Sequence, residues 1–189
     1  MTNMQQLKKS KILFYILLMV VAISACAGNS KKANPQSQIP QVLFKDSFPK
    51  SVGYVNDFAN LYSPAQKDSL ETMMGKFEKY TTIQVALVVF KSSMVNKDSL
   101  EAVTMRIGNT WGVGQEETKN GVVIGICPEC RKMTIQNGYG IEAVMSNEET
   151  KEIIDKYFTP QFKENKYFEG TVTGLHALIE VLTKKWKVD

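Results

Sequence analysis

A chain of 189 residues with 43% hydrophobic and 22% charged residues suits one globular domain with some additional sequence, and excludes both disorder and a polytopic membrane protein. The formal net charge is +4, but Lys8, Lys9 and Lys11 supply three of those charges, so the remainder is nearly neutral and gives no electrostatic case for a nucleic-acid partner. Three cysteines and one histidine are too few for a disulfide-stapled miniprotein or a four-cysteine zinc site, which leaves a hydrophobic core to hold the fold.

Residues 1–25 read as an export signal: basic at Lys8, Lys9 and Lys11, apolar from Ile12 to Ala22, then small residues before a cysteine. Eleven apolar residues rise about 16 Å as a helix, short of a hydrocarbon core of about 30 Å. Ile23-Ser24-Ala25-Cys26 resembles the lipobox of bacterial lipoproteins, which implies cleavage before Cys26 and acylation of its thiol. Residues 27–38 are polar and rich in helix breakers, a flexible tether is expected over 26–52, and the folded domain over 53–187. Such a protein faces the periplasm from a membrane of the cell envelope.

Ser63-Pro64-Ala65-Gln66 joins an N-cap, a first-position proline and a capping-box partner, and Leu70, Met73, Met74 and Phe77 follow at helical spacing. A helix over Pro64 to Tyr80 follows from this. Thr82 to Phe90 is apolar and β-branched on both faces, as in a central strand covered by helices. A second helix is expected from Asn96 to Asn109, capped by Asn96 or Asp98, with Leu100, Val103 and Ile107 inward. Val122 to Ile126 is a buried strand and Lys132 to Gln136 an alternating one, joined as a hairpin around Cys127-Pro128-Glu129-Cys130. Ser146 and Glu149 form another capping box, opening a helix with Ile153, Ile154, Tyr157 and Phe158 inward that should stop at Pro160. The last helix presents Phe168, Val172, Leu175, Ile179, Leu182 and Trp186. Helices alternating with buried strands predict an α/β sandwich with a mixed sheet.

Cys127 and Cys130 invite three readings: a redox pair, half of a zinc site, or a local disulfide. A redox pair lies at a helix N-terminus and zinc needs two more ligands, so a structural disulfide in an oxidising compartment is favoured. His176 lacks a second histidine and reads as a helix-surface residue. Tyr157, Phe158, Phe162, Lys163, Lys166, Tyr167 and Phe168 suggest either an acidic partner's surface or the packing of the loop between the last two helices, and packing is preferred. Oxygen donors recur at element ends: Asn56 and Asp57, Asn120, Glu142 and Asn147. They would suit Ca²⁺ or Mg²⁺, or would satisfy backbone N–H groups at turns and helix starts.

Tyr54-Val55-Asn56-Asp57-Phe58-Ala59-Asn60-Leu61-Tyr62-Ser63, Trp111-Gly112-Val113-Gly114, Asn120-Gly121-Val122-Val123-Ile124 and Gly138-Tyr139-Gly140-Ile141-Glu142 together resemble the TPM domain family, as does the segment from Pro160 to Gly170. The resemblance implies a three-layer, Rossmann-like α/β/α sandwich, tethered to or facing a membrane. It also implies divalent-cation binding in some members and acid phosphatase activity in a few. Asp57, Asn120 and Glu142 match the family's residues, and Asn147 stands where an aspartate is common. The expectation is a non-catalytic interaction or quality-control module for envelope membrane proteins, with a weak Ca²⁺ or Mg²⁺ site at Asp57, Asn120, Glu142 and Asn147. A cation-dependent phosphatase is the alternative.

Overall fold

The computed structural model describes residues 48–187. The export signal, Cys26 and the tether up to residue 47 lie outside the described residues. Strand β1 (Val55–Asp57) leads to helix α1 (Pro64–Thr81), strand β2 (Gln84–Val89) and helix α2 (Leu100–Trp111). The hairpin β3 (Gly121–Cys127) and β4 (Lys132–Asn137) follows, then α3 (Tyr139–Glu142), α4 (Asn147–Ile153), a π-helical turn (Ile154–Phe158), α5 (Thr159–Lys163) and α6 (Tyr167–Lys185). The sheet runs in the order β1-β2-β3-β4, with β1, β2 and β3 parallel and β4 antiparallel to β3.

Alternation along the buried strands sends side chains to two cores. Val85, Leu87, Val89, Val122, Ile124 and Ile126 join Leu70, Met74 and Phe77 of α1 and Leu175, Leu178 and Leu182 of α6. Ala86, Val88 and Val123 face Leu100, Val103 and Ile107 of α2. The result is the three-layer α/β/α sandwich expected, with a mixed sheet. Both parallel connections step one strand the same way along the sheet, yet α1 and α2 cover opposite faces, so the two crossovers have opposite hands.

Local chemistry explains the ends of the helices. Ser63 accepts the Gln66 N–H while Gln66 accepts the Ser63 N–H, and Thr82 closes α1 in a left-handed conformation. Helix α2 begins later than its periodicity suggests. Asn96 accepts the N–H groups of Asp98 and Ser99 and stabilises a turn in place of the first helical residues. Pro160 does not end the helical path either. The Thr159 N–H reaches back five residues to the Ile154 carbonyl, and proline then falls in the first turn of α5, where a missing N–H is harmless.

Helix α6 is rotated from the expected face. Gly170, Thr171, Gly174 and Leu178 are buried with Leu175 and Leu182, whereas Phe168, Val172 and Ile179 are only partly covered. Within the segment assigned from sequence to the tether, Phe48 and Pro49 touch α2 while Lys50, Ser51 and Val52 are exposed. The Arg106 guanidinium lies 5.0 Å from the Phe48 ring centroid and Trp111 donates to the Pro49 carbonyl. No helix among the described residues is long and apolar enough to cross a membrane.

Candidate functional site

Asp57 ends β1, and its carboxylate folds the chain that follows. One oxygen accepts the N–H groups of Ala59 at 3.2 Å and Leu61 at 3.0 Å, and the other accepts that of Tyr62 at 2.9 Å. Asn56 does the same toward the chain before it, accepting from Val52 and donating to Gly53. Tyr62 is buried, its hydroxyl 2.8 Å from Thr171 on α6, and burial pushes that hydroxyl well above the ordinary tyrosine range. The Asp57 turn therefore docks the start of α1 against the last helix.

Asn120 is fully buried at the opposite end of the sheet. Its carbonyl oxygen accepts the Gln115 N–H at 2.8 Å, and its amide donates to the Thr82 carbonyl at 2.8 Å. A Cβ at the neighbouring Gly121 would lie 2.0 Å from the Val113 carbonyl oxygen, so only glycine lets the two segments touch. The Gly138 N–H reaches the Gly121 carbonyl and the Gly140 N–H that of Lys119. The motifs around Gly114, Gly121 and Gly140 thus lock one edge of the sheet.

Register decides whether the four proposed cation ligands can meet. Asp57 pairs with Val89, and Val89 with Ile126. Asn120 lies six positions before Ile126, about 20 Å at the rise of a parallel strand. Glu142 belongs to the Asn120 edge, because β4 ends at Asn137 opposite Val122 and α3 follows at once. Asn147 opens α4 on that side too, where Thr150 of the same helix contacts Asn137.

Of the four residues expected to form one site, Asp57, Asn120, Glu142 and Asn147, the sheet separates Asp57 from the rest, and Asp57 and Asn120 already bind backbone groups. Among the described residues, no three His, Cys, Asp or Glu side chains gather to hold a metal. The residues do not fit a resident Ca²⁺ or Mg²⁺ at this four-residue set.

Concavity lies elsewhere. The sulfurs of Cys127 and Cys130 are joined, S–S 2.00 Å, across the β3–β4 turn. Glu129 at the tip of that turn accepts from both the N–H and the hydroxyl of Ser92, which holds its carboxyl below the usual range. Beside the turn a cleft of about 320 Å³ opens at the carboxyl end of β3, lined by Ile126, Cys127, Pro128, Arg131, Lys132, Met133, Thr159, Phe162, Lys163, Asn165 and Tyr167.

Its aromatic wall is built by ring contacts, with Phe162 tilted against Tyr167 at 5.0 Å and edge-to-face with Phe158 at 5.9 Å between ring centroids. Lys132 pairs with Glu101 at 3.3 Å. Nearby Glu164 is engaged by Lys166, so Arg131 and Lys163 have no ion-pair partner among the described residues. Sequence reasoning named Phe162, Lys163 and Tyr167 but missed Arg131 and Lys132. The available signal was a basic doublet directly after the second hairpin cysteine. His176 is exposed at the rim of a second groove of about 420 Å³, formed by α1 and α6 with Met73, Tyr80, Ile179 and Trp186 among its lining residues.

The model of the TPM domain family matches residues 55–181. The solution structure of an N-terminal domain from P. gingivalis is similar, with 27% identity, a TM-score of 0.63, and coverage of 70% of this chain and 83% of that one. The solution structure of a protein from the psychrophilic bacterium Bizionia argentinensis shares the fold at 18% identity and a TM-score of 0.60, covering 70% of this chain and 88% of that one. An N-terminal domain from Corynebacterium glutamicum shares it at 13% identity and a TM-score of 0.53, covering 73% and 85%. No curated protein is significantly similar in sequence.

Proposed function

The chain belongs to the TPM domain family, and on that premise we propose that it is an interaction module of the bacterial cell envelope, held to a membrane by acylated Cys26 and assisting membrane-protein partners on the periplasmic side. The observation that carries this reading is the cleft beside the β3–β4 turn. A concave surface with an apolar floor and two cations, Arg131 and Lys163, that form no ion pair among the described residues is suited to receiving another molecule. By contrast, Asp57 and Asn120, which carry the family resemblance, are engaged in holding the fold. The basic and apolar leader followed by Ile23-Ser24-Ala25-Cys26 supports the tether. Of the proposed cation ligands only Glu142 and Asn147 stay exposed, one carboxylate and one amide, which supports no more than a weak Ca²⁺ or Mg²⁺ contact.

A second reading, the cation-dependent acid phosphatase, draws on Arg131, Lys132 and Lys163, whose charge would neutralise phosphoryl oxygens. The two readings separate in one assay. Full-length protein in detergent is given p-nitrophenyl phosphate with Ca²⁺ or Mg²⁺, and release no faster than with heat-unfolded protein is expected. Turnover abolished by Lys163→Gln, in protein with an unchanged amide spectrum, would replace the module with the enzyme. The tether is tested separately: labelled palmitate should enter the wild type and not Cys26→Ala.

A further inference from the structure

We infer that the cleft beside the β3–β4 turn binds the carboxyl end of a peptide chain whose last side chain is apolar. The inference rests on the interaction-module reading and names what that module recognises. At about 320 Å³ the cleft is at the lower end of small-ligand sites, enough for one terminal residue and too small for a folded surface. Its two kinds of lining call for two kinds of group on one ligand. Ile126, Met133, Phe162 and Tyr167 offer an apolar floor and wall, which a small inorganic anion would leave wet.

Arg131 and Lys163 supply positive charge, Lys132 being paired with Glu101, and a guanidinium is matched in shape to a carboxylate. Glu129 is engaged by Ser92, Glu164 by Lys166, and Glu101 by Lys132. Arg131 and Lys163 form no ion pair among the described residues and are open to an external anion. The two sides of the cleft are fixed independently, one by the disulfide-closed turn and the other by the ring contacts of Phe158, Phe162 and Tyr167, so little ordering of the walls is required on binding.

The test uses the full-length chain in detergent and a fluorescein-labelled pentapeptide, Gly-Ser-Gly-Ala-Phe, ending either in a free carboxylate or in an amide. Anisotropy should report saturable binding of the acid, weakened about tenfold or more for the amide and for Arg131→Gln or Lys163→Gln. Both substituted positions are exposed, and unchanged amide spectra would verify that the variants fold. Equal binding of acid and amide would overturn the inference, as would no binding of the acid at about 1 mM. Inorganic phosphate moving the same amides without any peptide binding would assign the cleft to a free anion and also overturn it. Failure of the peptide, while an envelope protein is still captured through Arg131 and Lys163, would sink this inference and leave the module reading intact.

Discussion

Asp57 shows how a charged side chain can look like a ligand and serve as a clamp. Three backbone N–H groups converge on its two oxygens, and hydrogen bonds to a charged acceptor are each worth about 1.5–3 kcal/mol, though not additively. Asp57→Ala is expected to destabilise the domain by about 2–3 kcal/mol in urea unfolding, with Asp57→Asn losing less because one acceptor remains. An unchanged midpoint for Asp57→Ala would show that the carboxylate does not hold the turn.

Tyr54 gives a pH-dependent counterpart. Its hydroxyl donates to the Glu78 carboxylate, and this bond, with burial second, pushes its pKa up to about 12. The folded chain holds that proton more tightly than the unfolded one, whose tyrosines titrate near about 10. Its contribution to stability is thus complete below pH about 10 and disappears as pH rises toward about 12. Stability measured across this window should fall less steeply for Tyr54→Phe than for the wild type. Single residues were the least legible level of the sequence. Asp57 had two readings, cation ligand or turn former, and only the path of the next five residues distinguishes them.

Elements were more readable because periodicity reports burial directly. The capping boxes at Ser63 and Ser146 and the continuous apolar strands appear as the sequence implies. Differences arise where a tertiary contact outweighs the local pattern. In α6 the buried stripe passes through Gly170, Thr171 and Gly174, residues that carry no hydrophobic signal, because Phe158 packs directly onto Gly174. A Cβ there would meet the Phe158 ring at 2.1 Å. Gly174→Ala is therefore expected to destabilise by about 1–3 kcal/mol, although alanine is the better helix former by about 1 kcal/mol. Thermal unfolding would check the sign. A raised midpoint would mean that Phe158 can give way, whereas partial recovery in the double variant with Phe158→Leu would identify the clash as the cause.

At the scale of the whole molecule, the segments most recognisable in the sequence hold the architecture together. Trp111 to Gly114, Asn120 to Ile124 and Gly138 to Glu142 meet at one edge of the sheet through backbone contacts. Tyr54 to Ser63 forms the clamp after β1. The fold class was accordingly legible, while the cleft was not. Its walls come from 126–133 and 159–167, and Arg131 and Lys163 become neighbours of one cavity only through the docking of the last three helices. The same separation along the sheet divides Asp57 from Glu142 and Asn147. Titrated Ca²⁺ should therefore move amide resonances near Glu142 and Asn147 and leave those of 57–62 in place, and joint movement of both groups would contradict the register argument.

The most direct measurement is cross-linking in intact cells followed by quantitative capture of the full-length chain from membranes, comparing the wild type with Arg131→Glu, Lys163→Glu. Charge reversal here sets like charge against an anionic partner and weakens its approach and its hold. The prediction is that an identified envelope protein is enriched by the wild type and falls about tenfold or more with the doubly reversed chain. Equal enrichment by both would contradict the claim that this cleft is where the module meets its partner.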